Sequence, residues 1–166
     1  GSMIKWIKKA DGTWVYDYSI FDLYVNLAME SGINQQINCY SMVPVGNKFS
    51  WFDEKSSKII TMESLPGTKA YEDIWRTFLN DFKAHLQVKG WLAKTTIALD
   101  EREEEEMEKM FKFLKQAAPE LKISMAGFYY GKINSAIYDF SSNWRHVDSI
   151  SGNITESRRR AGLKTT

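Results

Sequence analysis

Residues 95–102 read Thr95-Thr96-Ile97-Ala98-Leu99-Asp100-Glu101-Arg102. The opening residues favour an extended strand. A period of two then puts Ile97 and Leu99 on one face and Thr96, Ala98 and Asp100 on the other. One face is apolar and the other is small or polar. Strands of an open parallel sheet with helices on both sides carry apolar side chains on both faces. A barrel strand instead turns one face inward, towards an active site at its C-terminal end. The same asymmetry recurs in Gln35 to Val43, where Ile37 and Cys39 share one face and Gln36, Asn38 and Tyr40 share the other.

Outward from this strand, helical and extended segments alternate. Ser19 with Asp22 resembles a capping box, opening a helix whose apolar positions are Phe21, Tyr24, Val25 and Ala28, with Gly32 as its stop. Gly46 to Thr68 reads as a long loop with room for a hairpin. Tyr71, Ile74, Trp75, Phe78, Phe82 and Leu86 recur at helical spacing until Gly90. A further helix begins near Glu103, buries Met107, Met110, Phe111 and Leu114, and ends before Pro119. A strand over Lys122 to Ala126, a short helix over Ile133 to Phe140, a strand over Val147 to Ser151 and a basic segment from Thr155 to Ala161 complete the chain. The intervening helices are long enough for crossovers, so the sheet is expected to be parallel. The fold class is α/β: part of a (β/α)8 barrel of the TIM type with about four or five parallel strands. The alternative is a small open parallel α/β sheet.

With 166 residues, 43% hydrophobic and 26% charged, the composition is that of one folded domain. A closed barrel of this type typically needs about 250 residues, so the length reads as a central slice of one. Residues 1–3 resemble an expression-tag remnant, and residues 4–166 form a single α/β unit. The net charge of +1 supplies no general attraction to nucleic acid or anionic lipid. Cys39 is the one cysteine, and the two histidines are His85 and His146, so neither an internal disulfide nor a usual zinc set is available. No metal or other cofactor is expected. No apolar run is long enough to span a membrane, and no export signal is present in this sequence. Aromatic residues make up 14% of the chain, with six tryptophans, which suits either core filling or stacking on sugar rings.

Asp100 and Glu101 are the sharpest candidates for chemistry. Glu103 to Glu106 sit where a helix macrodipole favours acidic side chains, with Lys109, Lys112 and Lys115 following, so that run reads as a solvated first turn. The pair itself precedes the helix and occupies the rim where parallel α/β folds place their catalysts. Helix capping is the bland alternative. If both carboxyls share one cavity, the charge of Asp100 favours a protonated Glu101, the state a general acid requires.

At this point the sequence resembles a known family. Tyr71-Glu72-Asp73-Ile74-Trp75 through Phe82, then Gly90-Trp91 and Thr95 to Arg102, resemble the catalytic domain of glycoside hydrolase family 123. So do Phe21-Asp22, Tyr24-Val25, Gly32-Ile33 and Ile37-Asn38-Cys39-Tyr40-Ser41-Met42-Val43-Pro44. The resemblance runs from about Trp14 onward. It implies a (β/α)8 barrel that removes β-linked N-acetylgalactosamine from glycans with retention, the sugar's own acetamido oxygen serving as nucleophile. It further implies that Asp100 orients the acetamido group and that Glu101 is the acid and base. Glu103 stands where the family often has proline, which loosens the start of the helix. The implied partner is a glycan, and the family suggests an exported bacterial protein; no oligomeric state follows.

Asn38 and Tyr40, on the polar face of the earlier strand, are candidates for binding a sugar hydroxyl or the acetamido group, against an ordinary barrel-interior hydrogen bond. Tyr129, Tyr130, Trp51 and Trp144 are candidate stacking platforms, against loop packing. Trp75 and Trp91 read as core, and Arg158, Arg159 and Arg160 as a solvated basic patch. Two other readings stay open: a non-catalytic carbohydrate-binding module on the same scaffold, and a glycosidase with an ordinary two-carboxylate mechanism.

Overall fold

The computed structural model describes residues 2–142 and 152–166. The strand expected over Val147 to Ser151, together with Trp144 and His146, falls outside the described residues. The elements run β1 (Lys5–Lys8), β2 (Trp14–Asp17), α1 (Ser19–Glu30), β3 (Ile37–Tyr40), β4 (Lys48–Asp53), β5 (Lys58–Glu63) and α2 (Lys69–Val88). They continue with β6 (Thr95–Leu99), α3 (Glu104–Ala117), β7 (Lys122–Gly127), β8 (Asp139–Ser142), α4 (Gly152–Arg160) and β9 (Lys164–Thr165).

Two sheets form. The larger has five strands in the order β3-β6-β7-β8-β9, and every pairing is parallel. Each new strand is added on the same side of the last, so the order never reverses as it does at the switch point of a doubly wound sheet. The α/β class and the parallel sheet are as the sequence implies; the five strands do not close on themselves.

The second sheet, ordered β2-β1-β4-β5, is antiparallel except for the β1–β4 pair. Its β4–β5 hairpin lies within the Gly46 to Thr68 stretch, where the sequence left room for one, and takes up most of it; the β1–β2 hairpin precedes every element inferred from the sequence. Packing against α2 joins this sheet to the core. Trp6 stacks on Phe78 at 4.6 Å and meets Trp75 edge-on at 5.4 Å, while Phe49 meets Trp75 at 5.5 Å. This layer takes up much of the aromatic content. Trp75 and Trp91 are buried, and Trp6, Trp14 and Trp51 pack against the same cluster.

Several local expectations are corrected. Phe140 belongs to strand β8, and the helix expected over Ile133 to Phe140 reduces to a 3-10 turn at Asn134–Ala136. The Ser19–Asp22 capping box does not form. Asp17 accepts the Ser19 N–H at 2.9 Å, and Asp22 instead faces His85 of α2 and Lys89 just past its end, each at 2.7 Å. His85 therefore has a partner, and it also stacks on Tyr18 with ring centroids 4.0 Å apart. Only Phe21 and Val25 of α1 are buried; Tyr24 is exposed. Arg158 is buried rather than solvated, while Arg159 and Arg160 pair with Glu156 at the surface.

Candidate active site

The alternation of β6 divides the parallel sheet into two chemically distinct faces. Ile97 and Leu99, with Ile123 and Met125 of β7 and Phe140 of β8, join the helices in the core. The opposite face carries Asn38 and Tyr40 of β3, Thr96 and Ala98 of β6, Ser124 and Ala126 of β7, and Asp139 of β8. Ala98 is buried yet lies outside the hydrophobic cluster.

Hydrogen bonds knit this polar face together. Asn38 Oδ1 accepts from Thr96 Oγ1 at 2.7 Å, from Gln36 Nε2 at 2.9 Å and from Ser124 Oγ at 3.2 Å. Gln36 also donates to Asp139 Oδ2 at 2.9 Å, and Lys164 Nζ donates to Gln36 Oε1 at 3.4 Å. In a flat sheet β3 and β9 would stand about 19 Å apart, four strand spacings. Gln36, the residue before β3, nonetheless reaches Asp139 of β8 and Lys164 of β9, so the sheet curls, with the polar face on its concave side.

Asp100 and Glu101 follow directly on β6, at the C-terminal rim of this curved sheet. Asp100 continues the polar face of Thr96 and Ala98, and its Oδ1 accepts the Glu101 N–H at 2.9 Å. Arg102 locks the other side of the turn. Its guanidinium donates to Glu101 O at 2.7 Å and to Val43 O at 3.2 Å, with Asp100 Oδ2 4.0 Å away. Tyr130 Oη donates to Arg102 O at 3.2 Å. Val43 lies just past β3, whose end is held from the other side by Tyr71 Oη, donating to Met42 O at 2.9 Å. Helix α3 begins only at Glu104, so the pair lies ahead of its first turn.

Two tyrosines flank the acids. Partial desolvation, then the nearby charge of Asp100, pushes the phenol of the largely exposed Tyr40 above its ordinary value, with Arg102 opposing. Burial, then the charges of Glu103, Glu104 and Glu101, does the same to Tyr130. Both phenols thus keep their protons at neutral pH and remain hydrogen-bond donors.

The structure brings Asn38, Tyr40, Tyr130, Asp100 and Glu101 to one face or rim. Tyr129 instead packs its ring edge-on against Phe140 at 6.0 Å. Trp51 lies on β4 in the antiparallel sheet, edge-on to Trp14 at 5.5 Å, which groups it with the aromatic layer rather than with the strand ends. Trp144 is outside the described residues. Sequence reasoning missed Arg102, Thr96 and Ser124. Thr96 and Ser124 carried a signal, since each shares the inward parity of a strand. Arg102 carried none beyond standing next to the acids.

Among the described residues, no group of three His, Cys, Asp or Glu side chains gathers as a metal site, and no helix is long and apolar enough to cross a membrane. A half-open depression lined by Leu114, Lys115, Pro119, Leu121, Lys122 and Tyr138 among others lies at the N-terminal end of β7, away from the acids.

Comparison with known proteins places this rim in context. No curated protein matches the chain in sequence. Among solved structures, it is similar to a family 123 glycoside hydrolase from Clostridium perfringens, whose structure details glycolipid glycan hydrolysis. The two share 32% identity at a TM-score of 0.89, over 99% of this chain and 31% of that one. The chain thus spans about a third of that protein's length. The family description "Glycoside hydrolase 123, catalytic domain" matches residues 1–166, so the chain belongs to glycoside hydrolase family 123.

Proposed function

We propose that this chain supplies the acid pair of a retaining glycosidase that removes a β-linked 2-acetamido sugar, N-acetylgalactosamine, from glycans by substrate assistance. The observation that carries the reading is the placement of two consecutive carboxyls at the C-terminal rim of a curled parallel sheet, one of them bonded to the backbone of the other. Glycans of glycolipids, the substrates named for the similar clostridial enzyme, are the proposed natural source. The curled sheet is taken as an arc of a (β/α)8 barrel, with its polar concave face as the barrel interior.

The chemistry balances with two protein groups. The acetamido oxygen attacks the anomeric carbon as the glycosidic bond breaks, and the Glu101 carboxyl gives its proton to the leaving oxygen. Asp100 accepts the acetamido N–H and offsets the positive charge of the oxazolinium. Water then adds to the anomeric carbon, giving its proton to the Glu101 carboxylate, and the acetamido group is restored with configuration retained. No carboxylate nucleophile is needed, which sets such enzymes apart from ordinary retaining glycosidases.

Glu101→Gln in the full-length enzyme tests the reading, because it removes the proton while keeping the shape. Hydrolysis of an aryl β-N-acetylgalactosaminide should fall by about 100- to 10,000-fold, the usual contribution of a general acid and base. Unchanged turnover would sink the proposal. A thiazoline analogue of the oxazolinium separates the mechanisms: a substrate-assisted site binds it tightly, and a two-carboxylate site does not.

A further inference from the structure

The last residue of β7 is Gly127, with φ +139°, in the region of backbone space that favours glycine. Its missing side chain is as informative as its dihedral angle. A Cβ built there would stand 2.5 Å from Cγ of Glu101 and 3.4 Å from its Cδ and Oε1. The atom it would strike is the stem of the glutamate, not the free end of a flexible chain. Glu101 therefore leans away from its own strand and crosses the end of the next one, at the one point where no side chain rises from it.

Two hydrogen bonds fix the backbone on either side of that stem. The Glu101 N–H is held by Asp100 Oδ1, and its carbonyl by the Arg102 guanidinium. With both peptide groups tied, a Cβ at position 127 must turn the carboxyl through its side-chain torsions. We propose that Gly127 is the positioning residue for Glu101: its bare Cα is the seat on which the glutamate stem rests, and this sets where the carboxyl projects over the rim. The inference rests on the reading of Glu101 as acid and base and adds a second strand to the machinery. Gly127 touches neither substrate nor proton, and acts only through the carboxylate it seats.

Displacement of a catalytic group by about 1 Å can cost about 100-fold in rate. In the full-length enzyme, Gly127→Ala should therefore lower kcat on a substrate with a poor leaving group by about that factor, with KM little changed. For a dinitrophenyl glycoside, whose leaving group needs no protonation, kcat/KM, which reports the bond-breaking step alone, should fall much less than it does for the poor leaving group. A general loosening of the fold would slow both substrates alike. The double variant supplies the decisive comparison: in a Glu101→Gln background, Gly127→Ala should cost no further rate, because the group it acts through is already gone. A further loss of similar size would overturn the proposal, as would a Gly127→Ala enzyme with wild-type kcat on the poor leaving group.

If Gly127→Ala fails to fold, the same change is made with Glu101→Ala, which removes the stem. Recovery of the folded protein supports the seat; failure in both backgrounds assigns the glycine to backbone conformation alone and overturns it. The two proposals fail separately. An active Glu101→Gln enzyme removes the reading of Glu101, whereas an inactive one beside a fully active Gly127→Ala enzyme removes only the seat.

Discussion

Asp100 carries two tasks through its two carboxylate oxygens: Oδ1 holds the Glu101 N–H, and Oδ2 faces the Arg102 guanidinium 4.0 Å away. An asparagine of the same shape can still accept the backbone hydrogen bond, but in the proposed mechanism it brings no negative charge to the oxazolinium. Asp100→Asn should therefore leave the fold intact and cut kcat by about 100-fold or more, the scale seen when an electrostatic stabiliser of a transition state is lost. Affinity for a thiazoline should fall with it. Circular dichroism and single-substrate kinetics check both parts, and a variant that keeps full rate would assign Asp100 to backbone capping alone. Parity alone placed Asp100 on the polar face, and the strand-end position marked it for chemistry. The course of Glu101 could not be read that way. Its side chain depends on Gly127, 26 positions later, and a contact between neighbouring strands leaves no mark in the spacing of either.

At the scale of elements, legibility follows the strength of the local pattern. Helix α2 shows seven buried side chains at helical spacing and was plain in the sequence. Strands β1 and β2 have four residues each, too short to establish a period, although Asp11-Gly12 between them is a hairpin signal. The Ile133 to Phe140 stretch misled because its apolar residues fit a helix, whereas pairing with β7 draws Phe140 into a strand. Helix α4 shows the same limit in a different form. Its three consecutive arginines are identical in type, yet the helix rotates about 100° per residue and turns only Arg158 onto the sheet. There it donates to Ile137 O at 3.1 Å, Lys164 O at 2.7 Å and Thr165 Oγ1 at 2.9 Å, and lies over the Phe140 ring. These bonds fasten α4 to the β8–β9 edge. Arg158→Met keeps the aliphatic stem and strips the donors from buried acceptors, so stability should fall by about 2–3 kcal/mol. Arg159→Met, which loses a surface pairing with Glu156, should leave the urea midpoint where it is. Equal shifts in the two variants would refute the distinction.

Across the whole molecule, the sequential strand order and the concave polar network describe one curved surface. The side chains of Gln36, Asp139 and Lys164 bridge strands that a flat sheet would keep far apart. Such a surface is stabilised unevenly. Strand β6 is buried along its whole length, β7 over most of its own, and each is paired on both sides. By contrast, β3 and β9 each have one partner within the sheet, and β9 is only two residues long. Backbone groups open to exchange through local fluctuations whose free energy rises towards the centre of the cooperative unit. Hydrogen exchange followed by mass spectrometry on the 166-residue chain should therefore show a gradient, slowest in β6 and β7 and fastest in β3 and β9. Among the described residues no strand pairs with the outer edge of β3 or β9, which makes a competing outcome possible, because an unpaired edge is a template for another chain. If β3 and β9 exchange as slowly as β6, the edges are covered by self-association. That protection should then disappear on dilution, whereas a gradient that is independent of concentration belongs to the isolated arc.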